Sequence, residues 1–299
     1  MGEIASILTS VCWVTSTIFF TEGGKRVGSM VVNRVRMIFG LLLLMIANFF
    51  LYQELIPLSA SADRWFWLGI SGFVGLALGD IFLFQSYLMI GPRRAMLLIA
   101  GVPVLNTLFA WLFLHEALTT FGYLGIAVTV SGIFIVLSER NHHHDEFSKD
   151  KKRFRLGYVF VSLGALGQSA GMILARKGVS GDFPSLTGTL IRAIIGTITF
   201  LVLALITKEV KSTVAAVKLD RRALIWILLG SVTGPFLGIW LSLAGLQNTD
   251  VGIASTLQAL APVMMLPVAH YLYKEKLSPR AIIGTFVAMA GVAVIFILA

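Results

Sequence analysis

The chain has 299 residues, of which 57% are hydrophobic and only 13% are charged. Soluble domains have about one quarter charged residues, so this composition excludes a water-soluble fold. The net charge of +9 does not indicate a nucleic-acid-binding protein, because the cationic residues lie in short gaps between apolar runs and not on one surface. The one cysteine, Cys12, lies within an apolar run, which excludes an intrachain disulfide framework.

Apolar stretches of about 20 residues follow one another along the chain, each long enough to cross a bilayer as a helix. In chain order they cover 3–21, 33–52, 65–89, 92–114, 119–137, 156–176, 186–207, 223–247, 250–273 and 278–298. The first stretch lacks the basic region and the cleavage site of a signal peptide, so we expect it to stay as a helix. Runs such as 41–52 are apolar on every side, which is typical of transmembrane helices and not of β-barrel strands. The sequence therefore predicts ten transmembrane helices.

An internal repeat divides these helices into two sets of five. A shift of 159 residues superposes several glycines, prolines and acidic residues of the first half on the second: Gly75 on Gly234, Gly79 on Gly238, Ala95 on Ala254, Pro103 on Pro262, Glu116 on Glu275, Gly125 on Gly284 and Gly132 on Gly291. A shift of 156 pairs Arg36 with Arg192. We predict one five-helix unit at 1–138, a charged linker at 139–155 and a second unit at 156–299.

Cationic residues indicate how the two units lie in the membrane. All but four of the 24 Lys and Arg residues lie in, or next to, the gaps that follow the first, third, fifth, seventh and ninth predicted helices. The four exceptions are Arg64, Arg176, Lys177 and Arg192. The positive-inside rule makes the basic side cytoplasmic and places both termini outside. Because five is odd, the second unit enters from the opposite side. The predicted fold is thus an all-α integral membrane protein with ten transmembrane helices in two inverted five-helix repeats, an architecture of alternating-access carriers.

The phrases that end the two units, LHEALTTFGYLGIAVTVSGIFIVL and YKEKLSPRAIIGTFVAMAGVAVIFIL, resemble those of the drug/metabolite transporter superfamily, specifically its EamA-domain permeases. Glu116 and Glu275 match the acid of the family's Gly-Glu pair, although His115 and Lys274 replace the glycine. Further matches are the first-helix Trp13, its counterpart Gln168, the basic pair Arg176 and Lys177, and the helix-opening Arg36 and Arg192. The resemblance implies a transporter of metabolites, and it identifies the fold better than the substrate.

Asp80 is an acidic residue near the middle of the third predicted helix. A charge there costs about 2.5 to 3.5 kcal/mol on insertion scales, and such residues normally face a cavity or a partner. We expect Asp80 to bind substrate or a coupling proton. The alternatives are a neutral, protonated Asp80 and an Asp80 that caps a helix broken at Gly79.

Arg36 and Arg192 each lie just inside the second helix of a unit. Either could attract an anionic group, snorkel toward headgroups or pair with a carboxylate such as Asp182 or Glu22. Because both units carry the arginine, we favour a structural charge.

Pro103 and Pro262 fall at equivalent points of the fourth and ninth helices. Each removes a backbone hydrogen bond and kinks its helix, so both are candidates for gate kinks, with a static bend as the alternative. Pro235 predicts a further bend, and the glycine steps around Gly75 and Gly234 predict close helix packing.

Polar or amphipathic side chains within the other spans form a candidate substrate lining, although interhelical packing explains each alone equally well. They are Trp13, Gln168, Trp240, Gln258, Gln85, Tyr87 and Asn106. We expect His270 to be an interface group and not a proton relay.

The linker run His142 to His144 is interpreted as solvated, because adjacent histidines in a loop do not preset a metal site. We find neither a phosphate-binding loop nor a hydrolytic grouping, and expect no enzyme activity, cofactor or metal. We predict a secondary transporter in the cytoplasmic membrane that exports small organic solutes, as a monomer or homodimer. Proton coupling, facilitated uptake or exchange, and translocation of a lipid-linked intermediate are left open.

Overall fold

A computed structural model describes residues 1–90, 95, 98–99, 101–137, 151–261, 263–264, 267–268, 271 and 279–298. Every regular element in these residues is helical. The α-helices are α1 (Gly2–Val27), α2 (Ser29–Tyr52), α3 (Ala62–Ser71), α4 (Gly79–Ile90), α5 (Val102–Phe109), α6 (Thr120–Leu137), α7 (Lys151–Gly178), α8 (Ser185–Ile206), α9 (Val210–Leu219), α10 (Arg221–Ser231), α11 (Ile239–Asn248), α12 (Val251–Gln258) and α13 (Pro279–Leu298). Three π-helical segments are π1 (Gly72–Leu78), π2 (Ala110–Leu114) and π3 (Val232–Gly238).

Among the described residues, six helical segments are long and apolar enough to cross a membrane. They are Gly2–Val27, Met30–Tyr52, Ala62–Leu83, Lys152–Gly178, Ser185–Ile206 and Arg221–Asn248. Three shorter apolar helices cover Val102–Leu114, Thr120–Ile135 and Ile282–Ile295. The chain is thus a multi-pass membrane protein. The predicted span 250–273 is described only in part, as α12 and a few residues beyond it.

Large apolar side chains remain exposed on the outer faces of several helices. Phe50 on α2 is 73% exposed, and so is Phe286 on α13. Such exposure would be costly in water, but it suits contact with lipid. Apolar residues on every side of these helices thus cover both the packed interior and a lipid-facing surface.

The predicted helix ends differ from the observed ones most clearly at the linker. α7 begins at Lys151, which lies within the predicted linker, and not at residue 156. Lysine and arginine are good helix formers, so the basic residues 151–155 extend the helix beyond its apolar run. The linker histidines and residues 138–150 lie outside the described residues.

Two of the spans are interrupted in the same way, by a π-helical segment between two α-helices. α3, π1 and α4 form one continuous helical path, and so do α10, π3 and α11. The two π-helical segments begin 160 residues apart, at Gly72 and Val232. Pro235 lies inside π3 and has no N–H to donate, and the hydrogen bonding changes there from α- to π-helical.

Glycines let π1 approach its neighbours at backbone distance. A Cβ at Gly72 would overlap the backbone carbonyl of Arg192 on α8, and one at Gly75 would lie 3.0 Å from the Cα of Gly171 on α7. The predicted close packing through Gly75 is thus observed, and it places π1 between α7 and α8.

The helix containing Pro103 is broken immediately before that residue. Gly101 forms a turn in which its N–H donates to the Leu98 carbonyl at 3.1 Å, and Pro103 lies in the first turn of α5. An equivalent turn follows α12, where the Leu260 N–H donates to the Leu257 carbonyl at 3.3 Å. Pro262 itself lies outside the described residues.

Candidate functional site

A cavity of about 320 Å³ lies among the spans, within the size range of small-molecule sites. Residues from α1, α2, π1, α4, α7, α8, π3 and α11 line it, so both halves of the chain contribute. The lining comprises Trp13, Ser16, Phe20, Arg36, Met37, Gly75, Leu76, Asp80, Leu83, Ile99, Gln168, Met172, Arg192, Gly234, Pro235, Ile239 and Ser242. Five of the polar or charged candidate residues named from the sequence are thus brought together: Trp13, Arg36, Asp80, Gln168 and Arg192.

Asp80 forms an ion pair with Arg36. Nη2 of Arg36 donates to Oδ2 of Asp80 at 3.3 Å, and the two side chains are 17% and 21% exposed. The guanidinium also lies 5.4 Å from the centre of the Phe20 ring, where a cation–π contact adds to its stabilisation. Gln168 lines the same cavity beside this carboxylate. The pair neutralises both charges at the centre of the site.

The sequence analysis named Asp182 and Glu22 as partners for the arginines, and the structure pairs Arg36 with a different carboxylate. Glu22 pairs with Lys25 on its own helix, and Asp182 is exposed in the loop before α8. The partner of Arg36 is Asp80 because α2 and α4 bring the two side chains into the same cavity, a tertiary contact that hydropathy alone does not reveal.

Trp13 on α1 is fixed by the glycine at the end of π3. A Cβ at Gly238 would lie 3.1 Å from both Cδ1 and Nε1 of the Trp13 indole, so the ring packs directly on the backbone. Its counterpart Gln168 makes the corresponding contact with Gly79, where a Cβ would lie 3.3 Å from the Gln168 Cγ. The amphipathic Trp13 and the polar Gln168 thus enter the cavity along glycine surfaces.

Arg192 lines the same cavity from α8. Its side chain is only 5% exposed, and its Nε is buried with no hydrogen-bond partner among the described residues. A Cβ at Gly75 would lie 3.8 Å from the Arg192 Nη2, so the guanidinium lies beside the glycine surface of π1. Arg192 therefore differs from Arg36, which has a carboxylate.

Gln258 and Asn106 lie one contact behind the lining. The Gln258 Oε1 accepts from the Ser242 hydroxyl at 2.8 Å, and the Asn106 Nδ2 donates to the Met172 sulfur at 3.0 Å. Both side chains are buried, and both hold a residue that faces the cavity. Neither lines it directly.

Trp240 and Gln85 do not line the cavity. The Trp240 Nε1 donates to the Ser185 hydroxyl at 3.2 Å, and its ring packs with Phe236 in an apolar cluster between α2 and α8. Gln85 is exposed on α4. The side chain of Tyr87 and all of Pro262 lie outside the described residues, and Pro103 starts α5 without lining the cavity.

Sequence reasoning missed a set of apolar lining residues. Phe20, Met37, Leu76, Met172 and Ile239 face the cavity, and nothing distinguishes them in the sequence from the lipid-facing residues of the same helices. Ser16 carried a weak signal, because it is a polar residue one helical turn from Trp13.

Ser10 satisfies the carbonyls at the broken end of α12. Its hydroxyl lies 2.7 Å from the Leu257 carbonyl oxygen and 2.9 Å from that of Gln258. Proline at position 262 cannot donate to the Gln258 carbonyl four residues earlier, so Ser10 supplies the missing donor. The Leu257 and Gln258 carbonyls are therefore engaged by α1.

Polar networks join the halves at both ends of the bundle. At the basic end, Arg34 on α2 donates to Glu209 and, at 2.9 Å, to Thr213 on α9. At the other end, Glu116 accepts from the Arg176 Nε at 3.2 Å and from the Val251 N–H at 2.9 Å. No group of three or more His, Cys, Asp and Glu side chains that could hold a metal occurs in the described part of the chain.

The fold and its sequence pattern have known relatives. A solved crystal structure matches with a TM-score of 0.77 at 18% identity, covering 100% of this chain and 97% of the other, which supports a shared fold. A protein of Clostridium kluyveri described as an uncharacterized transporter is 28% identical over 144 residues, 47% of this chain. The match covers 44% of that relative, less than half its length. The sequence pattern of the EamA-like transporter family matches residues 1–138 and 155–297, and the chain therefore belongs to the EamA-like transporter family, within the drug/metabolite transporter superfamily.

Proposed function

We propose that the protein is a secondary transporter that exports small organic metabolites across the cytoplasmic membrane. In this proposal ten transmembrane helices form two inverted five-helix repeats, at 1–138 and 156–299, and transport proceeds by alternating access between them. The single observation that carries the proposal is the cavity containing the Arg36–Asp80 pair, because residues of both halves line it.

Three pairs of contacts support the repeat. Gly40 on α2 contacts Pro235, and Gly196 on α8 contacts Leu76. These residues are related by the same shifts of 156 and 159 that align the two halves of the sequence. The analogous pairs are Gly23 with Ile227 and Gly178 with Leu68, and Gly2 with Asn248 and Gly157 with Met89.

The direction of the helices supports inversion of the repeat. Gly2 contacts Asn248 and Gly23 contacts Ile227, so α1 runs antiparallel to the path through α10 and α11. Gly157 contacts Met89 and Gly178 contacts Leu68, so α7 likewise runs antiparallel to the path through α3 and α4. In a unit that crosses the membrane at each helix, the first and third helices run in the same direction. A first helix antiparallel to the third helix of the other unit is therefore expected only if the units are inverted.

The direction of transport rests on the family resemblance, and the orientation rests on charge. With the basic end cytoplasmic, both termini are extracytoplasmic. A reporter that works only outside the cytoplasm, fused after Ala299, should then be active. A reporter that works only in the cytoplasm should be silent there, and strong cytoplasmic activity would reverse the orientation.

The function is tested by comparing metabolites inside and outside cells that express wild type, Asp80→Asn or Asp182→Asn at equal membrane levels. Asp182 is a matched control because it is an exposed acid outside the cavity. We expect wild type and Asp182→Asn to displace a soluble compound outward, and Asp80→Asn to displace much less.

The alternatives predict other outcomes of the same comparison. Inward displacement of the compound would favour facilitated uptake or exchange. Full transport by Asp80→Asn would remove Asp80 from the mechanism. If no soluble compound moves but a lipid-linked intermediate changes leaflet, the protein is a lipid translocase and the proposal is wrong. Dependence of transport on the proton gradient in wild type, lost in Asp80→Asn, would identify Asp80 as the coupling group.

A further inference from the structure

The charged residues of the cavity do not balance one another. Among its described lining residues three are charged, namely Arg36, Asp80 and Arg192. Asp80 neutralises Arg36 across 3.3 Å. Arg192 has no ion pair within the described part of the chain, and its Nε has no hydrogen-bond acceptor there. The lining therefore carries one uncompensated positive charge.

An uncompensated guanidinium is costly at this position. Arg192 is 95% shielded from solvent, being only 5% exposed, and a buried charge without a partner destabilises a protein strongly. It cannot snorkel away along its own path, because its backbone packs against Gly72 and its Nη2 lies beside Gly75. The fold thus holds the charge at the cavity wall, where a ligand can reach it.

We propose that Arg192 binds the carboxylate of a small organic acid whose apolar body occupies the rest of the cavity. This inference rests on the proposed transport function and names its substrate class. Guanidinium binds carboxylates through two parallel hydrogen bonds. The body of the ligand would contact apolar lining residues, namely Trp13, Phe20, Met37, Leu76 and Met172.

The charge balance distinguishes a carboxylate from other headgroups. A monocarboxylate neutralises one excess positive charge. A dianionic phosphate would leave one excess negative charge in a site of low dielectric, and an amine would add to the existing excess. A neutral amide would leave Arg192 uncompensated.

The test measures thermal unfolding of the purified full chain in lipid nanodiscs with four probes that carry an aromatic body: 3-phenylpropionate, 3-phenylpropanamide, 3-phenylpropylamine and phenyl phosphate. A ligand that binds the folded state raises the melting temperature. We expect 3-phenylpropionate to raise it most in wild type, and Arg192→Gln to weaken the apparent affinity about tenfold or more, as loss of a hydrogen bond to a charged group does.

Arg64→Gln is the control, because Arg64 lies outside the cavity and donates to the Gly178 and Ser180 carbonyls. Equal shifts in wild type and Arg192→Gln, a larger shift with any of the other three probes, or no shift with any probe would overturn the proposal.

A second measurement without ligand separates recognition from a structural role. Arg192→Met removes an uncompensated charge, so it should melt at or above the wild-type temperature. Arg36→Met strands the Asp80 carboxylate and should melt well below it. If Arg192→Met is destabilised as much as Arg36→Met, Arg192 is a structural charge and the proposal fails.

The two proposals can fail separately. If 3-phenylpropionate binds through Arg192 but no compound crosses the membrane in cells, the transport proposal fails and the binding assignment stands. If cells displace a soluble compound but the carboxylate probe does not bind, the substrate class is wrong and the transport proposal stands.

Discussion

Nη2 of Arg36 on α2 lies 3.3 Å from Oδ2 of Asp80 in the first turn of α4. The pair joins two charged residues that lie within the second and third predicted helices of the sequence. Arg36 and Asp80 thus neutralise each other. Arg192 lines the same cavity without a carboxylate partner among the described residues.

The pair should show strong coupling between its members. Asp80→Asn and Arg36→Gln each remove one charge of this partly buried pair. Breaking a fully buried pair costs about 3 kcal/mol, so we expect each single variant to lose less than that. The double variant removes both charges, so it should unfold closer to wild type than the sum of the single variants predicts, with a coupling of about 1 to 3 kcal/mol. Denaturation in detergent or nanodiscs measures this cycle.

Transport separates this coupling from function. We expect the double variant to transport poorly even where its stability recovers, because both charges of the pair are absent from the cavity. Additive destabilisation would show that the pair is not energetically linked, and full transport by the double variant would show that neither charge is needed.

Gly40 should tolerate no side chain where it meets π3. A Cβ at Gly40 would overlap the Cβ of Pro235, a rigid ring. Gly40→Ala should therefore destabilise the protein by about 1 to 3 kcal/mol, the usual cost of overpacking. Gly196→Ala is the matched control in the second half, because its Cβ would lie 3.4 Å from the flexible Met37 methyl and 3.6 Å from Leu76. Equal melting temperatures for the two variants would contradict the close contact.

The Arg34–Glu209 pair at the basic end should make stability depend on pH. Hydrogen bonding to the Arg34 guanidinium lowers the pKa of the Glu209 carboxyl below its usual value. A lowered folded-state pKa stabilises the protein at pH above the unfolded value, and this stabilisation is lost as the pH falls through the folded one. The difference in melting temperature between wild type and Glu209→Gln should thus be present at neutral pH and shrink below about pH 4.5.

Thr213→Val provides the control for that experiment. It removes the neutral partner of the same guanidinium, which the Arg34 Nη1 reaches at 2.9 Å, so its effect should change little over the same pH range. A Glu209→Gln difference that stays constant in acid would mean that the ion pair does not stabilise the fold.

Hydropathy identified the six long spans of the described residues, because every backbone group in a bilayer needs an internal partner and long apolar runs must therefore be helical. The glycine pattern also predicted close packing at π1, since only an absent side chain allows Gly75 to approach Gly171. The π-helical character of π1 and π3 was not predictable, because it depends on which carbonyls find donors in the packed bundle.

Residue roles within the cavity were harder to predict for the same reason. Asp80 and Arg36 were each recognised as charges in spans, but their pairing requires the relative rotation of α2 and α4. Gln258 and Trp240 were equally plausible lining residues by composition. Their hydrogen bonds to Ser242 and Ser185 show that polar side chains in a bundle serve neighbouring helices as readily as a cavity.

The Glu116 carboxylate should control opening at the end of the bundle opposite the basic loops. It joins Arg176, at the end of α7, to the first N–H of α12, and only 14% of its side chain is exposed. Glu116→Gln keeps the shape but removes the charge, so the link between the halves should weaken. Loss of a charge-assisted bond in a largely buried network changes an equilibrium about tenfold.

Labelling of a cysteine in the cavity measures this opening. In a Cys12→Ser background, Ser16→Cys places a thiol at the lining, and a membrane-impermeant maleimide is added to intact cells. Glu116→Gln should increase the labelling rate about tenfold, because this end, extracytoplasmic in the proposed orientation, opens more often. Glu54→Gln is the matched control, since Glu54 lies at the same end and accepts only an exposed bond from Ser59 among the described contacts of its carboxylate. Because both variants remove one negative charge from the same surface, equal acceleration would trace the effect to surface charge, and no acceleration in Glu116→Gln would show that this network does not hold the end closed.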